Sequence, residues 1–236
     1  MRGYAESLAP DTRTMSGMAV TAVDAEAFVL AHTGLAPVPY VPEIRTHQAD
    51  DAISLWEETE ELHGGPGLAP PFWAFPWAGG QALARYVIDH PDVVAGKHVL
   101  DLASGSGLVA LAAAHAGAAT VMANEVDPYA IAAIRLNAAA NGRVIRTYHG
   151  NLLIDGALVT ADVVLAGDVF YNRDMAAAMH EYLRGARKRG AVVLVGDPGR
   201  AYVPRDELER VADYEVPVVR DIEDVDVKDT TVWRVP

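Results

Sequence analysis

The sequence predicts an α/β protein with seven strands in one mostly parallel sheet, helices on both faces and an antiparallel C-terminal hairpin. Three observations predict it. From Lys97 onward, short apolar runs alternate with helical segments, the pattern of parallel strands joined by crossover helices. The first of these runs, Val99-Leu-Asp-Leu102, passes through Ala103-Ser-Gly-Ser-Gly107 into an alanine-rich segment, which reads as a buried strand, a tight turn and a helix. The last two runs have only Asp221–Asp229 between them, so they should pair as a hairpin.

Taken in order, residues 1–23 show no periodicity and read as a flexible leader, with Met15 and Met18 as alternative starts. Asp24 is placed to cap a short helix over Ala25–His32, stopped by Gly34. Pro37–Pro42 reads as extended chain and Glu43–His47 as a strand. A helix over Ala49–Leu62 carries Ile53, Leu55, Trp56 and Leu62, and ends at Gly64-Gly-Pro-Gly67. Pro70–Gly80 sets four aromatics in a Pro/Gly frame, and Gln81–Asp89 spaces Leu83, Tyr86 and Val87 on one helical face. Strands are expected at His98–Leu102, Ala119–Asn124, Val144–Tyr148, Asp162–Ala166, Ala191–Gly196, Tyr214–Arg220 and Thr230–Val235. Helices are expected at Leu108–Ala116, Pro128–Ala140, Arg173–Arg189 and Pro204–Ala212, the second opening on a proline suited to a first turn.

Composition narrows the function classes. The chain has no cysteine, which excludes disulfides, zinc–thiolate sites and thiol catalysis. A net charge of −13 disfavours a nucleic-acid backbone as partner and suits a basic or cationic one. No segment is long and apolar enough for a membrane span, and no signal peptide is visible, so a cytoplasmic location is expected. The eight histidines are scattered, and no metal site is expected.

The turn at Asp101-x-Ala103-x-Gly105-x-Gly107 is by itself common to dinucleotide, phosphate and adenosyl-cofactor sites. Two of these are disfavoured. The residue three after Gly107 is Ala110, where a dinucleotide fingerprint expects glycine, and no Gly-Lys-Ser/Thr follows for a P-loop. About twenty residues on, the second strand ends in Asn124-Glu-Val-Asp-Pro128. Glu125 at the strand tip is placed to accept hydrogen bonds from ribose hydroxyls, and Asp127 to cap the next helix. The third strand ends at His149-Gly-Asn151, where Asn151 is either an adenine reader or a plain loop residue.

The fourth strand runs into Gly167-Asp-Val-Phe-Tyr171. Ligands of open α/β sheets lie beyond the carboxyl ends of the strands, so Asp168 and Tyr171 should face the chemistry, unless Asp168 only caps the next helix. Gly196-Asp-Pro-Gly-Arg200 after the fifth strand reads mainly as a turn, with Asp197 at the pocket border. Phe72, Trp73, Phe75 and Trp77 are either core or a wall that meets a cofactor or a cation.

With these residues together, the chain resembles the seven-β-strand, S-adenosylmethionine-dependent methyltransferases. It is most similar to the branch that methylates lysines on the β-subunit of electron-transfer flavoprotein. The likeness rests on Phe72–Leu83, Val99–Gly107, Ala123–Pro128, Gly167–Tyr171 and Gly196–Arg200, and extends from about Pro42 to Trp233. It implies a Rossmann-like sheet and one methyltransferase domain over residues 24–236 with an N-terminal cap over about 24–75. It also implies S-adenosylmethionine as cofactor. Trp77 would pack on that cofactor. Asp101, Ala103, Ser104, Gly105 and Gly107 would hold its methionine part, Glu125 the ribose, Asn151 and Leu152 the adenine side, and Gly167 would lie beside it. Asp168 and Tyr171 match the family's Asp/Glu-x-x-Tyr/Phe signature at the lysine channel. Two positions depart mildly: Glu125 stands where relatives often have Asp, and Ala103 where many have Gly. The Asn-Pro-Pro-Tyr associated with planar amides and nucleobase amines is absent after the fourth strand, which favours an aliphatic amine.

Methyl transfer needs a neutral amine, yet a free lysine of pKa about 10.4 is unprotonated only about once in a few thousand molecules at pH 7. Two unit positive charges about 4 Å apart at an effective dielectric near 20 repel by about 4 kcal/mol, or about three pKa units. The expectation is that Asp168 aims the lysine, the cofactor's charge expels the proton and Tyr171 orients the lone pair. Alternative substrates are a ribosomal or translation-protein lysine, a protein α-amine or a small amine. A non-catalytic cofactor-binding module is the alternative of another class.

Overall fold

Alternation along the central strands decides the layers. Val99 and Leu165 turn to one face of the sheet, Leu100, Leu102 and Val164 to the other, and all five are buried. A strand buried on both faces needs helices on both. The computed structural model describes residues 22–62, 70–155, 159–218 and 225–236. It carries a seven-stranded sheet in the order β5-β4-β3-β6-β7-β9-β8 and a separate two-stranded hairpin, β1-β2. The large sheet comprises β3 (His98–Leu102), β4 (Thr120–Glu125), β5 (Arg146–His149), β6 (Val163–Gly167), β7 (Val192–Asp197), β8 (Glu209–Pro217) and β9 (Val227–Arg234). The first five are parallel, β9 runs antiparallel to β7, and β8 antiparallel to β9. The chain order reverses between β3 and β6, where an open sheet leaves its ligand crevice.

One face carries α3 (Ala78–Asp89), α4 (Leu108–His115) and α5 (Pro128–Ala140). α4 is apolar nearly all round and buried over Leu108–Ala113, as a helix between sheet and neighbouring helices must be. α6 (Arg173–Lys188) covers the opposite face and is amphipathic. It buries Ala176, Met179, Leu183 and Ala186 and turns its charged residues outward.

The N-terminal segment packs on α5 through α1 (Ala22–His32), β1 (Gly34–Val38), β2 (Val41–Gln48) and α2 (Ala52–Leu62). Phe28, Val29 and Leu55 join Trp73, Phe75 and Tyr129 in a third cluster. Two fully buried amides tie this segment down. Asn137 Oδ1 accepts from the His47 backbone N–H (2.7 Å), and its Nδ2 donates to the Ser106 carbonyl (2.9 Å). Gln81 Oε1 accepts from the Tyr40 N–H (3.1 Å), while its Nε2 donates to the Pro76 carbonyl (2.8 Å). No described helix is long and apolar enough to cross a membrane.

Four expectations are corrected. The helix expected over Pro204–Ala212 is a single 3-10 turn, Arg205–Glu207, and Glu209 already starts β8 opposite Arg234. Pairing with β9 outweighs the helix-forming composition of that stretch. The strand expected at Tyr214–Arg220 therefore runs from Glu209 to Pro217, and residues 219 and 220 lie outside those described. α3 begins at Ala78, three residues before Gln81, because Gly79 and Gly80 are helical. Gly34 opens a strand that pairs with β2. Residues 1–21 of the expected leader lie outside the described residues, and Ala22 and Val23 open α1.

Candidate active site

A cavity of about 380 Å³ opens beyond the carboxyl ends of β3, β4 and β6, within the size range of small-ligand sites. Its floor is the turn after β3. Ala103 (φ +53°), Gly105 (+53°) and Gly107 (+79°) all occupy the left-handed region, which bares backbone toward the cavity and starts α4 at Gly107. Asp101 anchors the turn from beneath, with Oδ2 accepting from the Ala110 N–H (3.0 Å). Burial pushes its carboxyl up to about 7, against the lowering effect of bonds from Ser104 and Ala110; the charge of Glu125 adds to the rise. The Ser104 hydroxyl donates to the Asp101 carbonyl at 2.8 Å.

Glu125 stands at the tip of β4, facing this turn. Its Oε2 accepts from the Gly105 N–H (2.9 Å) and its Oε1 from the Val126 N–H (2.7 Å), while burial raises its pKa. Asp127 caps α5, accepting from the Tyr129 N–H at 2.8 Å. Asn151 lines the cavity, but its Oδ1 closes a local turn by accepting from the Leu153 N–H (3.0 Å). The Leu152 side chain is in the core under α6, and Leu153 lines the cavity instead. Gly107 also stays out of the lining; it packs on Ile134. Asn124 was missed. It is buried at the end of β4 and donates to the Tyr148 (3.2 Å) and Gly150 (2.7 Å) carbonyls, holding the chain that leads to Asn151.

Asp168 follows β6 with φ +55° and is 9 % exposed. The cap of α6 is Asn172, whose Oδ1 accepts from the Asp174 (3.0 Å) and Met175 (3.3 Å) N–H groups, so Asp168 does not serve that helix. It reaches instead to the start of α3, where Trp77 provides no side-chain cap. Asp168 Oδ2 accepts from the Gly80 N–H at 3.0 Å, which places a carboxylate at the positive end of the helix. Its Oδ1 accepts from Arg200 Nη2 (2.8 Å) and Nε (3.2 Å). Burial pushes Asp168 up to about 6 even though Arg200 draws it down.

Small residues make this approach possible. A Cβ on Gly79 would lie 2.3 Å from the Gly196 carbonyl oxygen and 2.5 Å from Asp168 Oδ2, and one on Gly167 2.8 Å from Gly80 Cα. The start of α3 thus rests directly on the ends of β6 and β7.

The aromatic cluster divides. Trp73 and Phe75 are buried, while Phe72 and Trp77 are half-buried in the cavity wall. Trp77, Phe72 and Tyr171 form a run of rings with centroids 5.7 and 5.3 Å apart, fixed by Trp77 Nε1 donating to the Phe72 carbonyl (2.8 Å). Burial raises the Tyr171 phenol, so it is neutral near pH 7.

Sequence reasoning also missed Arg200. Its guanidinium carbon lies 5.7 Å from the centre of the Trp77 ring. The preceding turn aims it there: Asp197 Oδ1 accepts from the Gly199 and Arg200 N–H groups, both at 2.7 Å. The available signal was a cation immediately after a Pro-Gly turn at the carboxyl end of a sheet strand.

Among curated proteins, the chain is 36% identical over 211 residues to the electron transfer flavoprotein beta subunit lysine methyltransferase of Xenopus laevis, covering 87% of this chain and 85% of that one. The human protein of the same name is 37% identical over 204 residues, covering 81% and 74% respectively. The chain belongs to this family of methyltransferases. A family model described as ribosomal protein L11 methyltransferase (PrmA) matches residues 81–169, the stretch from α3 through the glycine turn to Val169. A crystal structure from Pyrococcus horikoshii, assigned as an RNA methyltransferase, superposes with a TM-score of 0.53 at 18% identity, covering 72% of this chain and 87% of that one; it shows the shared fold.

The cofactor of the family, S-adenosylmethionine, suits the donor set here. Asp101, Glu125, Asp127 and Asp168 all line the cavity, against Arg200 as the only lysine or arginine among the described lining residues. Such a set favours a ligand with a sulfonium, an ammonium and hydroxyls over one carrying a diphosphate. Among the described residues, no group of three or more His, Asp or Glu is placed to hold a metal ion.

Proposed function

We propose that this methyltransferase acts on a lysine side chain of a protein, and that its substrate is the β-subunit of electron-transfer flavoprotein. The observation that carries the reading is that Asp168 and Tyr171, both from the stretch after β6, line the same cavity as Glu125 and the glycine turn. An amine entering the cavity has a carboxylate acceptor at Asp168 and a neutral phenol at Tyr171, whose ring lies against that of Phe72. The names of the similar curated proteins support the substrate, and a net charge of −13 supports a cationic partner over a nucleic acid.

In this reading S-adenosylmethionine supplies, when bound, a methyl group carried on a sulfonium. Glu125 and the turn at Ala103–Gly105 hold it, with Trp77 on its side and Asn151 near its base. Asp168 accepts a hydrogen bond from the lysine amine and directs its lone pair into the cavity. Tyr171 and Phe72 exclude water from the channel, and Tyr171 fixes the amine from the other side. Positioning of this kind supplies much of the rate in a displacement between two bound partners.

The test is incubation with radiolabelled S-adenosylmethionine and purified electron-transfer flavoprotein, beside a lysate and ribosomal proteins, followed by mass spectrometry of labelled bands. Label on a lysine of the flavoprotein β-subunit is the expected result. Label confined to ribosomal proteins would refute the substrate, and cofactor binding without any labelled band would refute the enzyme reading.

A further inference from the structure

We infer that Arg200 expels the proton that the substrate amine would otherwise share with Asp168, and so keeps that amine in its transferable form. The inference rests on the lysine reading above. It starts from a conflict in the site: a buried carboxylate close to an amine stabilises the ammonium, the form that cannot be methylated. Asp168 alone would aim the lysine and disarm it.

The geometry resolves that conflict. Arg200 places two N–H donors on one oxygen of Asp168, at 2.8 and 3.2 Å, while Gly80 occupies the other at 3.0 Å. The two side chains are only 20% and 10% exposed, so solvent screens the pair weakly. A guanidinium does not lose its proton in a protein. The Asp168–Arg200 pair therefore carries no net charge yet keeps one lone pair, on Asp168 Oδ2, that accepts from an amine. The Asp197-anchored turn and the Trp77 ring hold the guanidinium in place.

The other groups facing the site are Tyr171, which feels the charge of Glu125; Asp197 behind Arg200; Arg205 acting on Asp197; Glu125 and Asp127 at the end of β4; and Asp101 under the turn. They are common to the wild type and the variants below, so they leave the comparison unchanged. A second donor on the same carboxylate lies about 5 Å from the guanidinium. At an effective dielectric of about 20, two unit charges at that spacing interact by about two pKa units, and partial exposure reduces this to about 1–2.

Arg200→Gln and Arg200→Lys in the full chain test this. The direct readout is the bound amine: a substrate peptide with 13Cε-labelled lysine, held with S-adenosylhomocysteine, is titrated by NMR. Its pKa should rise by about 1–2 units in the Gln variant and stay within about half a unit of wild type in the Lys variant. In turnover, the acid limb of kcat should move up equally. The Gln variant should lose about 10–100-fold near pH 7.5, recover above pH about 9.5, and show no matching rise in KM. A loss uniform across pH, or an unshifted bound-amine pKa, would overturn the role and leave Arg200 a structural tie. If the Gln variant does not fold, Arg200→Met, which removes the same charge, is titrated in its place: a bound-amine pKa raised by about 1–2 units supports the role, and an unshifted one overturns it. A wild type that methylates no lysine at any pH sinks the functional reading itself, whereas an active wild type beside an unshifted Gln variant sinks only the role of Arg200.

Discussion

Gly79 and Gly80 are adjacent, both helical and both replaceable by alanine, yet the two substitutions should change stability in opposite directions. A Cβ on Gly79 would sit 2.3 Å from the Gly196 carbonyl oxygen and 2.5 Å from Asp168 Oδ2, whereas one on Gly80 meets nothing within 4 Å. Ordinary contact begins near 3.4 Å, so Gly79→Ala requires the start of α3 to lift by about 1 Å; overpacking of this kind costs about 1–3 kcal/mol. Lifting also stretches the bond from the Gly80 N–H to Asp168, worth about 1.5–3 kcal/mol because the acceptor is charged. Better helix propensity returns about 1 kcal/mol. The balance is a loss of about 1.5–5 kcal/mol, or a Tm lower by roughly 3–15 °C for a chain of this size. Gly80→Ala keeps only the propensity term and should raise Tm by about 2–3 °C. Differential scanning calorimetry of the two variants beside wild type checks this. Shifts of the same sign, or an unchanged Gly79→Ala, would show that the helix start does not rest on the strand ends.

Four further outcomes are expected. Glu125→Gln keeps an acceptor for the Gly105 N–H but loses the charge, and should weaken S-adenosylhomocysteine binding by about 10–100-fold in calorimetry. Asp168→Asn should leave that binding within about threefold and cut methyl transfer by about 10²-fold or more; full turnover would remove Asp168 from the mechanism. Ala103→Gly relieves a left-handed alanine at φ +53° and should stabilise by about 0.5–1 kcal/mol, measured by urea denaturation. Stability should fall as pH rises from about 4 to 8. Asp101 and Asp168 hold folded values of about 7 and about 6, both raised from 3.8, so their contribution is full below 3.8 and lost as pH rises through those values. The exposed carboxylates of Glu43, Asp51 and Asp213 are shifted downward and act only below about pH 4.5. A Tm series from pH 5 to 8 should show the decline, and Asp101→Asn should flatten much of it.

How much of this was legible depended on how local the cause is. The strand, turn and helix around Gly105 follow from residues adjacent in sequence, as do the cap at Asp127 and the acid at Glu125. Asp168 was legible as a site residue because it ends a strand, but its partners were not: Gly80 lies 88 positions away and Arg200 32. Gly79 and Gly80 read as the end of the Pro/Gly frame ahead of the helix, whereas the carbonyl that forbids a Cβ on Gly79 belongs to β7 and is invisible from its neighbours in sequence. The stretch after Pro204 failed for a similar reason: Leu208, Glu209 and Arg210 suit a helix, and only β9, which approaches from the far end of the chain, makes Glu209–Pro217 a strand. Leu152 and Leu153 show the limit of a motif carried by position. One residue decides which leucine points at the cavity.

The contact of α3 with β6 and β7 also leaves one part of the pocket little room to vary. Because main chain meets main chain there, no rotamer exists to be rearranged, and the start of α3 is held on the ends of β6 and β7 by backbone packing. Adapting the pocket to a bulkier nucleophile means changing the rest of the lining, where Leu153, Tyr171 and Met175 present side chains of adjustable size. One part of the pocket is set by backbone. The other is where specificity can evolve.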